Sequence, residues 1–168
     1  MTSHERAKTL RKPAVAVLGC GAANTHNSIS SMPDLVTTGA VQSGRDAYAM
    51  ARLGPAEIDA AEVYDAFTIN TILFLEDLGF CPKGEGGRFV QDGKIAPGGA
   101  LPVNTNGGGL SFCHPGMYGI FTLIEAAIQI RGEGGDRQVD GTDVVLCHGN
   151  GGTFSSQATV LLGSAATL

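Results

Sequence analysis

The sequence predicts an α/β fold in which helices cover the faces of a mixed β-sheet. Short apolar runs typical of strands alternate along the chain with segments of helical periodicity, which is the pattern of a layered α/β fold. The last two strand-like runs are joined by only a short glycine-rich turn, so they must be antiparallel. A segment at 117–130 is apolar nearly all round, as expected of a helix that is buried on every side.

Four segments are predicted to be strands. The apolar run at 13–19 is followed by a Gly-Cys-Gly sequence, which indicates a buried strand that ends there. The short run at 60–64 precedes a helical segment. The runs at 144–146 and 156–162 are the antiparallel pair, and a glycine-rich turn is expected directly after the first of them.

Three segments are predicted to be helices. Residues 39–53 have apolar side chains at helical spacing and end at a Gly-Pro pair. Residues 67–78 form the clearest amphipathic pattern, with Gly79 as the expected C-terminal cap. The apolar segment at 117–130 is the third helix. The remaining segments are predicted to be polar or glycine-rich loops, at 24–38, 81–102 and 131–143.

Composition limits the class of protein. The chain has 168 residues and 43% hydrophobic residues, which suits one domain with its own core. The first twelve residues form a polar tail, so the domain is expected to span 13–168. A formal net charge of -5 without a long basic run argues against a nucleic acid or an anionic membrane surface as partner.

The cysteines and the hydropathy pattern indicate in which cellular compartment the chain is found. No apolar run approaches the roughly 20 residues of a membrane-spanning helix, so no membrane span is expected. The first residues show no apolar segment of signal-peptide type. A reduced, cytoplasmic chain is predicted because the cysteines are far apart and lack CxxC spacing. They are Cys20, Cys81, Cys113 and Cys147.

The first candidate site is the pair Tyr64 and Asp65, where a predicted strand ends and a helix begins. Ligands usually bind at the carboxyl ends of strands in α/β sheets. Asp65 is either a functional carboxylate or a cap of the following helix. Tyr64 is either a core residue or a phenol that donates a hydrogen bond or a proton.

The second candidate is His114, which precedes Pro115 after a glycine cluster. Proline favours the first position of a helix, so His114 is predicted at the start of the helix at 117–130. The positive end of the helix dipole favours a neutral imidazole, which can donate a hydrogen bond to an oxyanion. Tyr118, four residues on, faces the same way if the turn is already helical. The alternative for both residues is simple core packing.

The third candidate is Cys147 with its neighbour His148. A thiol at the end of a buried strand can act as nucleophile or proton carrier where the thiolate is favoured, although a buried inert cysteine is the more common case. If the strand continues through His148, the two side chains point to opposite faces. Adjacent Cys-His pairs lack the usual gap between metal ligands, so no metal site is predicted.

Five motifs, in this order and spacing, identify a relative. The chain resembles the C-terminal half of thiolases, and especially the branch of sterol-carrier-protein thiolases and lipid-transfer proteins. Each motif alone is weak, but their order and spacing together are specific. They are YDAFT (64–68), LEDLGFCPKGEGG (75–87), PVNTNGGGLSFCHPGMYG (102–119), EAAIQIRGEGGDRQV (125–139) and LCHGNGG (146–152).

This resemblance implies the thiolase fold, in which two duplicated α/β halves form an αβαβα arrangement, usually in dimers or tetramers. The half present here is expected to have a mixed five-stranded sheet with a buried central helix and helices on its faces. In the family the acyl-accepting cysteine lies on the first half. A homo-oligomer or a separate chain of the N-terminal type is therefore an expected partner, and coenzyme A is expected as substrate or product rather than as a covalently bound cofactor.

The resemblance also implies roles for single residues. His114 matches the Gly-His-Pro histidine that activates the nucleophilic cysteine, and Cys147 matches the proton-shuttling cysteine of a Cys-x-Gly motif. Tyr64 replaces the Asn or His of the family motif and, with Tyr118, resembles the steroid side-chain aldolases, which pair with an OB-fold protein. The residues expected to support these four are Asp65, His148, Asn104 and Gly149.

Three functions follow as hypotheses. The first is acyl transfer on a 3-oxoacyl-CoA through His114 and Cys147, by thiolytic cleavage or by condensation. The second is retro-aldol cleavage of a β-hydroxyacyl-CoA through Tyr64 and Tyr118, which needs no thiol. The third is a non-catalytic partner or lipid-carrier subunit. An uncovered apolar side on the helix at 117–130 would require a partner half or an oligomer.

Overall fold

A four-stranded mixed sheet organises the protein, for which a computed structural model describes residues 1–167. The strand order is β1-β4-β3-β2. β1 and β3 each pair antiparallel with β4, and β2 pairs parallel with β3, so the predicted mixed sheet and the antiparallel last pair are confirmed. The strands are β1 (Ala16–Asn24), β2 (Ala60–Val63), β3 (Val144–Gly151) and β4 (Ser156–Gly163).

The expected five-stranded sheet is wrong by one strand. Val103 lies where a fifth strand would run, but it forms only a single parallel bridge to Ala61 of β2. The Ala61 amide donates to the carbonyl of Pro102, and its carbonyl accepts from Asn104. Asn104 then takes a left-handed conformation (φ +53°), which turns the chain away from the sheet, so no ladder extends from this bridge.

Two strand boundaries also differ from those predicted. β1 begins at Ala16 and continues through the Gly-Cys-Gly sequence, and as an edge strand it is only partly buried. Gly19 lies against α2 (Ala40–Ala51), where a Cβ would overlap the carbonyl oxygen of Ala47. That glycine therefore permits close strand–helix packing instead of a turn. β3 runs five residues past the predicted end at 146, because Cys147 to Gly151 stay paired with β4.

Six helices accompany the sheet in the described chain. α2 and α3 coincide closely with the predicted segments at 39–53 and 67–78, and Gly79 follows α3 with φ +84°, as its capping role requires. The helices are α1 (His4–Ala7), α2, α3 (Thr68–Asp77), α4 (Gly86–Phe89), α5 (Gly108–Ser111) and α6 (Gly119–Ile130). None of these helices is long and apolar enough to cross a bilayer.

The sheet separates two apolar layers. On one face α2 and α3 cover the larger core, which includes Phe74, Leu75, Leu146 and Leu161. On the other face α6 packs over β2 and β3, with a smaller core that includes Cys147. Alternate residues of β3 therefore belong to different layers, as strand geometry requires.

α6 is not buried on every side, contrary to the prediction for 117–130. Its buried positions are Thr122, Glu125, Ala126 and Gln129, which are mostly polar. Its outer face carries the large apolar residues, and Ile120, Phe121 and Ile124 are 53%, 43% and 48% exposed. The most apolar face of α6 therefore has no cover within the described chain.

Candidate active site

The site is built where β2 ends. The Tyr64 amide donates to the carbonyl of His148, which extends the β2–β3 pairing by one residue before the chain turns into α3. The Asp65 carboxylate then accepts hydrogen bonds from the amides of Gly109 (2.7 Å) and Leu110 (3.2 Å). Asp65 therefore does not cap α3. It fixes the glycine-rich segment that follows residue 106 against the end of β2.

Gly108 is required for this arrangement. Its φ of +69° lies in the left-handed region, and a Cβ at this position would overlap the Asp65 carboxylate. Any other residue at 108 would strain the backbone and displace Asp65. The glycine cluster of the sequence thus serves a close approach between backbone and carboxylate, at the base of the site.

Three side chains meet above this base. The Tyr64 hydroxyl and His114 Nε2 are 3.2 Å apart and form a hydrogen bond. The Tyr64 ring lies edge-on to the rings of His114 and Tyr118, with centroid distances of 5.8 Å and 5.3 Å. Both tyrosines are buried, whereas His114 is exposed. Tyr64, His114 and Tyr118 are called the aromatic cluster below.

Burial raises the pKa of the Tyr118 phenol well above its ordinary value, and the negative charge of Asp65 raises it further. The phenol of Tyr118 therefore stays protonated at neutral pH. A protonated phenol beside a histidine–tyrosine pair supplies a hydrogen-bond donor where negative charge develops.

His114 is not at the start of a helix, so that part of its prediction is wrong. α6 begins at Gly119 with Tyr118 as N-cap, and His114 lies in the preceding exposed loop. Met117 takes a left-handed conformation (φ +63°), which separates the loop from the helix. His114 is oriented instead by its hydrogen bond to Tyr64.

Two chambers open on either side of the hydrogen-bonded pair of Tyr64 and His114, and both residues line each of them. The smaller chamber, about 190 Å³, is also lined by Asp65, Tyr118 and Cys113. The larger one, about 560 Å³, has as further lining residues Ala66, Phe67, Asn70, Met117, Gly119 and the turn from Asn150 to Phe154.

Cys147 lies outside both chambers. Its thiol is buried under α6, with Sγ 3.6 Å from the carbonyl oxygen of Thr122. Burial raises the pKa of this thiol well above its ordinary value, and the nearby Glu62 carboxylate adds to the effect. A thiol in such surroundings remains protonated and unreactive. The structure thus separates Cys147 from the aromatic cluster.

His148 points to the opposite face of β3, as the alternation of a continued strand predicts. Its Nδ1 and Nε2 are hydrogen-bonded to Thr159 (2.9 Å) and Gln157 (2.8 Å), and its ring packs on Phe74. Burial lowers the pKa of His148 to about 4, so the ring is neutral at physiological pH. The expected supporting side chain therefore contacts neither chamber.

The other two supporting residues lie close to the site. Asn104 Oδ1 accepts a hydrogen bond from the Val63 amide at 2.8 Å, which fixes the end of β2 directly before Tyr64. Gly149 of β3 faces Gly119 of α6, so the start of the helix lies close to the strand. Both residues support the backbone around the aromatic cluster.

A buried polar network below the site is missing from the sequence-based prediction. Glu62 accepts from the Thr105 hydroxyl (2.8 Å), and the same hydroxyl lies 2.8 Å from the carboxylate of Glu125. Arg137, from the loop predicted at 131–143, binds Glu125 through two hydrogen bonds of 2.9 and 3.0 Å. Gln129 donates to Thr105 and Glu125.

Exposed apolar side chains surround the aromatic cluster. They come from the start of α3, from the end of α5 and the loop after it, and from the outer face of α6, and this set is called the apolar rim below. Each is more than 40% exposed. The rim consists of Phe67, Ile69, Leu110, Phe112, Met117, Ile120, Phe121 and Ile124. Large apolar side chains with this degree of exposure, grouped together, are typical of an interface.

The chain belongs to the thiolase C-terminal domain-like family, which it matches over residues 21–164. The resemblance to the thiolase superfamily is therefore confirmed. The chain is 47% identical to an acetyl-CoA acetyltransferase of Methanothermobacter thermautotrophicus over 70% of its own length. It is 34% identical to a steroid side-chain-cleaving aldolase of Thermomonospora curvata over 90% of its length.

Among solved structures, the fold is similar to that of the Ltp2-ChsH2(DUF35) aldolase. The TM-score is 0.87 with 30% identity, over 99% of this chain. The chain spans 31% and 39% of the two curated relatives and 44% of the solved chain. It therefore corresponds to less than half of each relative's length.

Proposed function

We propose that this chain supplies the acid–base groups of a site that cleaves a β-hydroxyacyl-CoA by retro-aldol chemistry. The observation that carries this proposal is the hydrogen bond between Tyr64 and His114 in two chambers that exclude Cys147. Acyl transfer, the first of the sequence hypotheses, relied on Cys147 as a proton carrier, and a buried thiol with a raised pKa does not suit that role. Retro-aldol chemistry needs no thiol.

The relatives support the same choice. The steroid side-chain-cleaving aldolase aligns with 90% of this chain, and the Ltp2-ChsH2(DUF35) aldolase superposes on 99% of it. The alignment with the acetyl-CoA acetyltransferase covers a smaller share, 70%.

The proposed reaction assigns one role to each member of the aromatic cluster. The pair of His114 and Tyr64 removes the proton of the β-hydroxyl group, and the O–H electrons form the new C=O bond. The Cα–Cβ bond breaks, and its electrons pass into the enolate of the acyl thioester. Tyr118 stays protonated and donates a hydrogen bond to the developing charge, and a proton then returns to Cα.

The apolar rim supports a second proposal, that this chain works together with a thiolase N-terminal-type half. Ile120, Phe121 and Ile124 are large apolar residues on one face of a helix, and a second half would bury them. The Ltp2-ChsH2(DUF35) aldolase is named after two proteins. This supports a further partner chain beside the N-terminal-type half. The CoA thioester is the proposed substrate of the assembly.

Thiolase-type acyl transfer is the second candidate function. The 47% identity to an acetyl-CoA acetyltransferase favours it. In that reaction His114 would activate a cysteine on the partner half, and Cys147 would have to become accessible. A non-catalytic subunit is the third candidate, which predicts no turnover of any thioester with partners present.

One assay separates the three candidates. The assembled protein is incubated with a β-hydroxyacyl-CoA without free CoA, and separately with a 3-oxoacyl-CoA plus free CoA. We expect the first reaction to release a carbonyl compound and a shortened acyl-CoA, both detected by mass spectrometry. Products from the 3-oxoacyl-CoA alone would contradict the aldolase proposal in favour of acyl transfer, and no product from either would favour the non-catalytic role.

A further inference from the structure

The side-chain amide of Asn150 has one paired end and one unpaired end. Asn150 is a half-buried residue of β3, and it lines the larger chamber. Its Oδ1 accepts a hydrogen bond from Gln157 Nε2 at 2.9 Å, and within residues 1–167 its Nδ2 has no acceptor. The one enclosed side-chain oxygen or nitrogen without a partner in this part of the chain is Asn70 Oδ1. The unpaired Nδ2 of Asn150 is therefore not enclosed, and a group in the chamber can reach it.

The backbone carbonyl of Phe154 determines how the amides of Gln157 and Asn150 are turned. A carbonyl oxygen only accepts hydrogen bonds, so the amide nitrogen of Gln157 must face it, at 3.1 Å. The same nitrogen also faces the Asn150 side chain, which must therefore turn its oxygen towards Gln157. The NH2 group of Asn150 is consequently the end that is left for the chamber.

A buried histidine holds Gln157 in this orientation. Gln157 Oε1 only accepts, so His148 Nε2, 2.8 Å away, is protonated and donates to it. Burial lowers the pKa of His148 to about 4, so the ring is neutral and its Nδ1 accepts from the Thr159 hydroxyl at 2.9 Å. Gln157, His148 and Thr159 are at most 1% exposed. A fully paired buried network of this kind is rigid, and it fixes the donor of Asn150 at its end.

The proposed reaction indicates which part of the substrate faces this donor. Tyr118, which donates to the thioester enolate in that reaction, lines the smaller chamber and not the larger one. The β-hydroxyl group lies at the pair of Tyr64 and His114, which line both chambers. The part of the acyl chain beyond the β-carbon, which leaves as the carbonyl compound, therefore extends into the larger chamber.

The wall of the larger chamber indicates an uncharged group as the partner of Asn150. Among the described residues, no lysine or arginine lines this chamber, so a carboxylate would have no strong cation to pair with. Ala66, Phe67 and Met117 make much of the wall apolar. A ketone or ester carbonyl oxygen accepts one hydrogen bond without bringing a charge into these surroundings.

We propose that Asn150 is a specificity-determining residue, whose Nδ2 donates a hydrogen bond to a ketone or ester carbonyl on the acyl chain beyond its β-carbon. Gln157 and His148 are positioning residues for this donor. The inference rests on the proposed function for the placement of the acyl chain. It assigns no chemical step to Asn150.

The test measures dissociation constants of unreactive acyl-CoA ligands for the assembled protein. The probes are octanoyl-CoA and its 5-oxo, 6-oxo and 7-oxo derivatives, which place one acceptor oxygen at successive positions of the chain. None carries an oxygen on the β-carbon, so binding is measured without cleavage. The preference is the ratio of the dissociation constant of octanoyl-CoA to that of a ketone, and we expect the wild type to prefer at least one ketone.

Two substitutions of Asn150 remove the donor. Asn150→Asp keeps the oxygen that accepts from Gln157 and replaces the NH2 group by an acceptor, whereas Asn150→Leu is uncharged and has neither. We expect both to reduce the preference for the best ketone about tenfold, the value of one hydrogen bond. The ratio cancels the effect of the new charge in Asn150→Asp, because all probes carry the same CoA.

The matched control is Thr153→Val, which removes the hydroxyl group of another residue of the same chamber wall. We expect it to keep the wild-type preference. Gln157→Leu leaves the Asn150 amide in place without its hold, so the preference should fall although Gln157 lines neither chamber. Urea unfolding checks that every variant is folded.

Equal binding of all four probes by the wild type, or a preference that survives Asn150→Leu, would overturn the proposal. A preference that survives Gln157→Leu would overturn the positioning role of Gln157 and His148. Absence of aldol cleavage by the wild-type assembly would contradict the proposed function alone, because the binding comparison needs no turnover.

Discussion

β2 and β3 are neighbours in the sheet, yet the candidate catalytic residues on them differ in their access to the chambers. Both parallel strands are associated with a candidate catalytic residue. Tyr64 directly follows β2, and Cys147 lies in the middle of β3. Tyr64 lines both chambers, whereas Cys147 is enclosed between the sheet and α6. The difference arises because β3 stays paired with β4 for four residues beyond Cys147, whereas β2 stops at Val63.

A suitable residue type on a strand is therefore not sufficient for a site. What matters is where the side chain points and what covers it. The Cys147 side chain faces α6, whereas Tyr64 lies where the chain leaves β2 and turns towards α3. Asn104 accepts a hydrogen bond from the Val63 amide, and Asp65 accepts one from the Gly109 amide. These two contacts fix the backbone on either side of Tyr64, which lines both chambers. Substitutions of Tyr64 and of Cys147 should therefore have unequal effects on turnover.

The largest effect is expected for His114→Ala in the assembled enzyme. Loss of the imidazole removes the hydrogen-bond partner of Tyr64, so turnover of a β-hydroxyacyl-CoA should fall by about two to three orders of magnitude. Steady-state kinetics measure this, and His4→Ala is the control because His4 lies in α1 and lines neither chamber. Turnover within a few-fold of wild type in His114→Ala would remove the histidine from the mechanism.

A second test measures how the buried carboxyl group of Glu62, which lies near Cys147, makes the free energy of unfolding depend on pH. Burial raises the pKa of the Glu62 carboxyl from 4.5 to about 7, so the folded state holds a proton that the unfolded chain releases near pH 4.5. The free energy of unfolding should therefore decrease as pH rises from about 4.5 to 7. The difference between the two pKa values corresponds to about 3 kcal/mol.

Urea unfolding of Glu62→Gln at several pH values checks this slope. We expect the stability of the variant relative to wild type to increase with pH over that range. His148 contributes a slope of opposite sign, because burial lowers its pKa, so the difference between variant and wild type is the informative quantity. The exposed Glu5→Gln is the control, and parallel pH curves for Glu62→Gln and wild type would mean that Glu62 is ionised throughout.

Thiol reactivity gives a smaller but direct contrast. Cys113 and Cys20 are exposed, whereas Cys147 and Cys81 are buried. Iodoacetamide should modify the two exposed cysteines of the folded protein within minutes and all four after unfolding, as read by peptide mass spectrometry. Rapid modification of Cys147 in the folded chain would contradict its enclosure by α6.

Much of the fold was predictable from local patterns. α2, α3, β2 and β4 were predicted within a few residues, because their periodicity and their Gly or Pro boundaries are local signals. The path of β1 was not, because the role of Gly19 depends on a helix more than twenty residues away. The exposed face of α6 was also missed, since apolar composition does not reveal whether a second layer is present.

Three of the four residues that the sequence indicates as catalytic lie together in the structure, and their catalytic role stays a prediction. Tyr64, His114 and Tyr118 were singled out from strand ends, a turn and the family motifs, and the structure brings them together. The separation of Cys147 from them depends on the length of the β3–β4 ladder, which no local pattern near residue 147 encodes. The Glu62 network was missed because its partners, Thr105 and Glu125, come from distant segments.

In the proposed function the aromatic cluster, and not Cys147, carries the chemistry. The most direct measurement is the turnover of one β-hydroxyacyl-CoA by Tyr64→Phe and Cys147→Ala, each in the assembled enzyme and each checked for folding. We expect Tyr64→Phe to lose about two orders of magnitude, because it removes only the hydroxyl that binds His114, and Cys147→Ala to stay within a few-fold of wild type. The reverse ranking would contradict the account.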